Sequence, residues 1–300
     1  MKEIKIAKLN EEIENNASKF ISDSDFKYEE QIDITAECIS ARRQTKPLVF
    51  VAGPRGSAKK ITARKIRNAL EKNGVKAFLI TLDNYLLADA DEDAYDFENP
   101  TRINIEAFNE DMRKIIDGKP IYVSAYSNQT SGYTLGGEID FHKGDILIVE
   151  GLQTLNPEIT DGYDDYASYV YASVRTRIVS GNLARLHPSK IRLLRRIVRA
   201  TYNGKPIESI LDVADETQIR EDRYIMPYKY RANYEIDSFI GYEASAYKAL
   251  ILPKLLELEK TYPLNKKFGD LMKLLDEVSP LDTNLVPENS MIHEFMDGIK

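Results

Sequence analysis

The sequence has no tryptophan, one cysteine and three histidines among its 300 residues. A single cysteine, Cys38, excludes an internal disulfide, and His142, His187 and His293 are too scattered for the ligand spacing of a zinc site. No apolar run approaches the ~20 residues of a membrane-spanning helix, and residues 1–14 mix Lys and Glu without an apolar signal core. We therefore expect a cytoplasmic protein with no disulfide, no zinc and no membrane partner.

The overall composition is that of a folded globular protein. Hydrophobic residues make up 43% of the chain and charged residues 30%, with 15 Gly and 12 Pro, which excludes collagen-like, low-complexity and wholly disordered classes. The length fits two average domains, or one α/β domain with additions at its ends.

The charge is acidic overall but unevenly distributed. A net charge of -7 argues against nucleic acid as a partner, because counterion release needs a surplus of cations. Between Asp165 and Glu208, however, there are nine Lys and Arg residues and no acidic residue. Such a basic block is typical of a site for a small polyanion such as a phosphate.

The hydrophobic pattern predicts alternating strands and helices from Pro47 onward. The predicted strands are 48–52, 76–82, 146–149 and 169–172, and the predicted helices are 61–73, 105–116, 189–200, 244–259 and 265–275. This alternation predicts an α/β fold whose parallel sheet has helices on both faces.

The chain divides into three predicted regions. Residues 1–46 form a helical N-terminal extension with a break near Ser22 to Asp25, and residues 47–260 form the core. Residues 261–300 form a helical C-terminal cap on that core.

A partial phosphate-binding loop lies between the first predicted strand and the helix after it. The loop reads Gly53, Pro54, Arg55, Gly56, Ser57, Ala58, Lys59 and Lys60. In the pattern G-x-x-x-x-G-K-[ST], backbone N–H groups surround the phosphates, the Lys contacts their oxygens, and the hydroxyl binds Mg²⁺. Gly53 and Lys59 match this pattern, whereas Ala58 replaces the second glycine and Lys60 replaces the hydroxyl residue.

These two departures have different consequences. If the loop requires a left-handed residue at position 58, alanine costs about 1–2 kcal/mol there, which a folded domain tolerates. The missing hydroxyl is more serious for catalysis, since Thr62 lies two helical residues beyond Lys60 and points about 200° around the axis. Lys60 would offset phosphate charge directly but would also repel Mg²⁺.

Two carboxylates follow predicted strands. Glu150 ends the apolar run 146–149, and Asp83 ends the run 76–82, which brings both to the edge of a parallel sheet where ligands bind. There Glu150 would hold Mg²⁺ and Asp83 would take the proton of an acceptor hydroxyl. The alternatives are an ordinary acidic turn at Glu150 and a loop-capping Asp at position 83.

Four arginines recur at helical spacing. Arg192, Arg195, Arg196 and Arg199 lie at i, i+3, i+4 and i+7, on one face of the predicted helix 189–200. Such a stripe suits the clamping of phosphate, and the alternative is a plain amphipathic surface helix.

Seven segments, counting these motifs, follow one another in an order that resembles one kinase family. They are Ala52-Gly53-Pro54 with Lys59, Leu82-Asp83-Asn84-Tyr85, Tyr95-Asp96-Phe97-Glu98, Ile148-Val149-Glu150-Gly151-Leu152 with Leu155-Asn156-Pro157, Arg192-Leu193-Leu194-Arg195-Arg196-Ile197-Val198-Arg199, Tyr224-Ile225-Met226-Pro227 and Val286-Pro287-Glu288-Asn289-Ser290. The resemblance is to the uridine kinase and phosphoribulokinase family of P-loop kinases, in particular its bacterial nucleoside-kinase-like group. It covers about residues 47–300.

The resemblance implies a P-loop kinase core with a five-stranded parallel sheet, and an Arg-rich lid at about residues 185–207. It implies transfer of the γ-phosphoryl group of ATP to a hydroxyl of a nucleoside or related sugar, with Mg²⁺ as the second cofactor. Lys59, Asp83 and Glu150 match the catalytic residues, and Glu150 also the metal ligand. Residues 53–60 and the four arginines match the nucleotide site, and the substrate site takes Asp83, Tyr85, Asp96 and Tyr126.

A second class of function stays open beside the kinase. A pseudokinase would bind a nucleotide or phosphometabolite without turnover and act as a regulatory or scaffold protein. In this sequence Lys190 stands where the family usually has Asp, and Ala125-Tyr126-Ser127 where it has a Tyr-Asp pair. A purely structural descendant and an assembly of identical subunits are also compatible with the sequence.

Overall fold

The computed structural model describes residues 2–87, 98–127, 132–180, 183–262 and 266–296. The strands in these residues are β1 (Glu3–Lys5), β2 (Leu48–Ala52), β3 (Ala77–Thr81), β4 (Ile121–Ser127), β5 (Gly132–Ile139), β6 (Ile146–Glu150), β7 (Ala167–Ser173), β8 (Arg177–Ser180), β9 (Leu183–Leu186) and β10 (Tyr234–Asp237). The helices are α1 (Ile6–Arg42), α2 (Lys59–Lys72), α3 (Ile105–Ile116), α4 (Pro157–Thr160), α5 (Pro188–Tyr202), α6 (Glu208–Leu211), α7 (Ala214–Tyr224), α8 (Glu243–Leu258), α9 (Lys266–Glu277) and α10 (His293–Met296).

The central sheet has five parallel strands in the order β10-β7-β2-β6-β3. Every residue of β2 and β6 is buried, because these strands lie inside the sheet and both faces are covered. Alternate residues of β2 enter different cores: Val49 and Val51 pack with α1, α2, α5 and α8, whereas Phe50 packs with α3. The α/β fold with a parallel sheet between helical layers is therefore confirmed.

The structure contains two smaller sheets that the sequence pattern does not predict. Strands β4 and β5 form an antiparallel hairpin, and β1 pairs in parallel with β8, which pairs with β9. The strand β10 at the edge of the central sheet was also not expected.

The predicted break in the N-terminal helix is wrong in its position. The backbone leaves helical geometry at Asn16 (φ -163°, ψ 83°), whose side chain accepts a hydrogen bond from the Lys19 N–H, and α1 continues through residues 22–25. The polar residues there are accommodated by distant partners, because Asp25 accepts hydrogen bonds from Tyr242 and Ser290.

Helix α1 shares its core with the central domain. Residues of α1, α2, α8 and α9 belong to one hydrophobic cluster, so the predicted extension and cap both pack against the sheet and its helices. The division of the chain at residues 46 and 260 stays a prediction. Within the described ranges, no helix is both long and apolar enough to cross a membrane.

Candidate functional site

The loop between β2 and α2 contains a left-handed residue where the pattern has its second glycine. Ala58 has φ 68° and ψ 18°, and it is the one residue other than glycine with positive φ in the described part of the chain. The loop therefore keeps this conformation without glycine, at an expected cost of about 1–2 kcal/mol.

Gly53 and Gly56 lie so close to neighbouring backbone carbonyls that the loop has no room for a Cβ atom at either position. A Cβ atom on Gly53 would lie 2.1 Å from the carbonyl oxygen of Ala172, and one on Gly56 would lie 2.4 Å from that of Arg192. Both distances are too short for a side chain, so β7 and α5 hold the loop backbone closely from two sides.

Replacing Ala58 with glycine is expected to stabilise the protein by about 1 kcal/mol, because glycine adopts positive φ without steric strain. Thermal unfolding of the variant measures this change. Ala63→Gly, in the middle of α2, is the matched control and should destabilise by about 1 kcal/mol or more. If Ala58→Gly instead destabilises the protein, packing of the Ala58 methyl group stabilises the fold by more than its backbone strain costs.

Sheet register brings the predicted catalytic residues to one edge. Glu150 is the last residue of β6 and pairs with Val51 of β2 on one side and Thr81 of β3 on the other. Asp83 follows Thr81 by two residues, and Lys59 begins the helix after β2. The Thr81 side chain lies close enough to Glu150 to lower the pKa of its carboxyl.

The charges of these three residues act on one another. Burial lowers the pKa of Lys59, and the carboxylates of Glu150 and Asp83 oppose that shift. Burial raises the pKa of Glu150, and the surrounding protein raises the pKa of Asp83 although that side chain keeps access to solvent; in both cases the charge of Lys59 opposes the change. Lys59, Asp83 and Glu150 therefore lie together at one edge of the central sheet, a region that we call the cleft, while their catalytic roles stay predictions.

No hydroxyl of the loop or of the first turn of α2 is placed for a metal. Thr62 is fully buried, lies 2.7 Å from the Tyr28 hydroxyl and donates to the Ala58 carbonyl. Ser57 is 1% exposed, with its Oγ against Gly53. The side chain at the usual hydroxyl position is Lys60, which is exposed.

The loop fits a phosphate group better than it fits a metal ion. The Ser57 Oγ is buried without a hydrogen-bond partner in the described residues, and the N–H groups at the start of α2 are of the kind that bind anions. For Mg²⁺ the sheet edge offers Glu150 and Asp83, but neither the loop nor the first turn of α2 supplies a hydroxyl, and the described residues contain no group of three or more acidic, His or Cys side chains arranged for a metal.

The predicted lid helix requires correction. Arg195 on α5 is fully buried, binds both carboxylate oxygens of Glu243 at 2.6 and 2.9 Å, and donates to the Gly56 carbonyl at 3.1 Å. Arg192 donates to Glu221 on α7 at 2.5 Å and to the Arg55 carbonyl at 3.3 Å. These two arginines face the protein interior, where each binds a buried carboxylate. Each also donates a hydrogen bond to a backbone carbonyl of the loop, so both stabilise the loop conformation.

The other two arginines differ from this pair. Arg199 is paired with Glu294 and lies over the Phe295 ring. The Arg196 guanidinium donates to the Thr217 hydroxyl at 3.3 Å, and burial, followed by the charge of Arg55, lowers its pKa to about 10. Because Arg196 has no ion pair among the residues described, it remains the strongest candidate of the four for binding phosphate.

The predicted substrate residues are only partly described. Tyr85 is buried, and its hydroxyl donates to Asp111 at 3.0 Å, so it packs in the core instead of facing a substrate. Asp96 lies outside the described residues. Tyr126 is in β4, where its backbone pairs with Tyr133.

One charged residue of the loop's surroundings was not assigned a role from the sequence. Glu98 is 1% exposed and forms an ion pair with Arg55. Glu221 also accepts a hydrogen bond from the Arg55 N–H at 2.7 Å. Hydrophobic periodicity does not reveal a buried acidic residue that is distant in sequence from the loop it contacts. The signal that could have identified Glu98 is its place in one of the segments that carry the family resemblance.

The fold is an α/β fold with a parallel sheet, and the loop between β2 and α2 resembles the phosphate-binding loop of P-loop proteins. No family model matches the sequence. Over 180 residues, 60% of this chain, the sequence is 26% identical to uridine-cytidine kinase C of Dictyostelium discoideum, and the match covers 36% of that relative. This similarity confirms the resemblance to the uridine kinase-like P-loop kinases, and the chain spans about a third of the length of that curated relative.

Solved structures of bacterial proteins are similar to about two thirds of this chain. A Silicibacter sp. TM1040 protein named as a fructose transport system kinase matches with a TM-score of 0.46 and 14% identity, over 67% of this chain and 92% of its own. A protein described as a possible uridine kinase from Bacillus stearothermophilus matches with a TM-score of 0.43 and 13% identity, over 69% of this chain and 98% of its own.

Proposed function

We propose that the protein is an ATP-dependent phosphotransferase that resembles uridine kinase and transfers the γ-phosphoryl group to a hydroxyl of a nucleoside or related sugar. The observation that carries the proposal is the placement of Lys59, Asp83 and Glu150 at one edge of the central sheet, beside the loop 53–60. The similarity to a protein named a uridine-cytidine kinase supports the acceptor class. A cytoplasmic location, where ATP is available, agrees with this function.

Each residue of the cleft has a defined task in such a transfer. The Lys59 ammonium and the N-terminus of α2 bind the phosphate oxygens and offset their charge. The Asp83 carboxylate accepts the proton of the acceptor hydroxyl as the oxygen approaches phosphorus. If Mg²⁺ were bound, Glu150 would hold it and the ion would supply further charge neutralisation, although neither the loop nor the first turn of α2 offers it a hydroxyl ligand.

The electrostatics of the cleft favour Asp83 as the base. Desolvation by the surrounding protein raises the pKa of its carboxyl above the ordinary value, with the cations Lys59, Arg55 and Lys60 limiting the rise. A base whose pKa lies closer to the working pH takes a proton more readily while remaining largely ionised.

The pseudokinase alternative is not favoured. A binding protein needs the loop and Lys59 but has no use for a carboxylate poised to accept a proton. The presence of Asp83 and Glu150 beside the loop supports turnover.

A phosphoryl-transfer assay with ATP and a panel of nucleosides and pentoses tests the proposal. We expect a phosphorylated product with at least one nucleoside or sugar, detected by mass spectrometry, together with release of ADP. A protein that binds ATP tightly and leaves every acceptor in the panel unmodified would contradict the enzyme and favour the binding protein.

A further inference from the structure

Lys60 occupies the position of the loop where the phosphate-binding pattern has its metal-binding hydroxyl. The left-handed turn at Ala58 and the start of α2 at Lys59 keep the geometry of that pattern, so the side chain at position 60 begins where the hydroxyl would. Lys60 is exposed, and its ammonium group has neither an ion pair nor a hydrogen bond with the residues that the structure describes.

The charge of Lys60 reaches the cleft. It lowers the pKa of Asp83 and that of Glu150, against the effect of desolvation by the surrounding protein on both carboxyls. Lys60 therefore adds positive charge near the two carboxylates that would otherwise face a metal.

Neither hydroxyl of the loop and the first turn of α2 restores the missing metal ligand. The Thr62 hydroxyl is bound to Tyr28 on the far side of α2, and the Ser57 hydroxyl is buried against Gly53. A divalent cation at the usual position would lose one ligand and meet a like charge, whereas the phosphate oxygens would meet a second ammonium beside Lys59.

We propose that Lys60 takes the place of the divalent cation in charge neutralisation at the phosphate site, so that the protein binds a nucleoside triphosphate without a metal. The inference rests on the nucleotide site of the proposed function and concerns how that site recognises its ligand. Glu150 and Asp83 then balance Lys59 and Lys60 while the site contains no phosphate.

Isothermal titration calorimetry with ATP, in excess Mg²⁺ and in EDTA, tests this role. Wild-type protein should bind ATP with closely similar affinity in both solutions. Lys60→Thr should weaken binding in EDTA by about 10–100-fold, the equivalent of one charge-assisted hydrogen bond, and Mg²⁺ should restore much of the loss because a hydroxyl is again available.

Two further variants serve as controls. Lys60→Arg keeps the positive charge and should retain metal-free binding. Lys72→Thr removes an exposed lysine from the other end of α2 and should behave as wild type in both solutions.

The outcomes separate this inference from the proposed function. Wild-type binding that is lost in EDTA, or a Lys60→Thr variant that binds metal-free ATP as well as wild type, would overturn the role of Lys60 and leave the kinase proposal standing. Failure of wild-type protein to bind ATP in either solution would overturn both.

Discussion

Replacing Arg195 with methionine is expected to lower the free energy of unfolding by about 3–5 kcal/mol, because the change leaves the carboxylate of Glu243 buried without its partner. Arg195 is fully buried, and Glu243 receives two hydrogen bonds from it and one from the Ile240 N–H. The same change removes the hydrogen bond to the Gly56 carbonyl, so the phosphate loop loses support as well. Urea unfolding followed by circular dichroism measures the loss.

Arg199 provides the matched control on the same helix. Its ion pair with Glu294 is only partly buried, so Arg199→Met should cost no more than about 1 kcal/mol. Removing both partners of the buried pair, as Arg195→Met with Glu243→Leu, should recover much of the stability because no charge is left unpaired. An Arg195→Met variant as stable as Arg199→Met would contradict the structural role of this ion pair.

The buried arginines mark the limit of what the sequence predicts about the site. Their spacing correctly places Arg192 and Arg195 on one face of a helix. Their acidic partners are 29 and 48 residues away, on elements whose packing no local pattern reveals. The spacing of charges along a helix shows which residues share a face, but it does not identify the residues that pack against that face.

The positions of the two carboxylates at the sheet edge were predictable for the opposite reason. Glu150 and Asp83 each follow an apolar run, and in a parallel sheet the ends of such strands meet at one edge whatever the details of packing. The loop was predictable because its backbone conformation depends on a few adjacent residues, and Ala58 keeps that conformation without glycine.

The elements of the fold also divide into those that local sequence predicts and those that depend on contacts between distant segments. The buried strands β2 and β6 and the helix α3 are strong local signals, and their positions agree with the predicted runs. The short strands β1 and β8 form only because segments far apart in the sequence meet, with Glu3 opposite Arg177. Neither segment is long enough to indicate a strand on its own.

Replacing Asp83 with asparagine is expected to reduce phosphoryl transfer by about 10²–10⁴-fold, the usual contribution of a positioned base. The amide keeps the size of the side chain but cannot accept the proton of the acceptor hydroxyl. ATP affinity should change little by comparison, since the loop and Lys59 bind the phosphates. Steady-state kinetics on the best acceptor of the panel, with ATP affinity measured separately, distinguishes the two effects.

Asp117→Asn is the control for this variant. Asp117 is an exposed residue at the end of α3 that pairs with Lys119 at the surface, and its replacement should leave the rate unchanged. An Asp83→Asn variant with wild-type turnover would exclude Asp83 as the base.

The central claim is that Asp83 accepts the proton of the acceptor hydroxyl beside Glu150. The pH dependence of the transfer rate tests this claim most directly, because it reports the pKa of the base and the effect of one carboxylate on the other. Desolvation by the surrounding protein raises the pKa of Asp83 above its ordinary value of 3.8, and only the ionised carboxylate accepts a proton, so the rate should fall as pH decreases through that raised pKa. In Asp83→Asn the remaining titration belongs to Glu150, whose pKa is no longer raised by the charge of Asp83. The account predicts that the acid limb moves to lower pH or disappears in this variant, and an acid limb at the same pH in both proteins would contradict it.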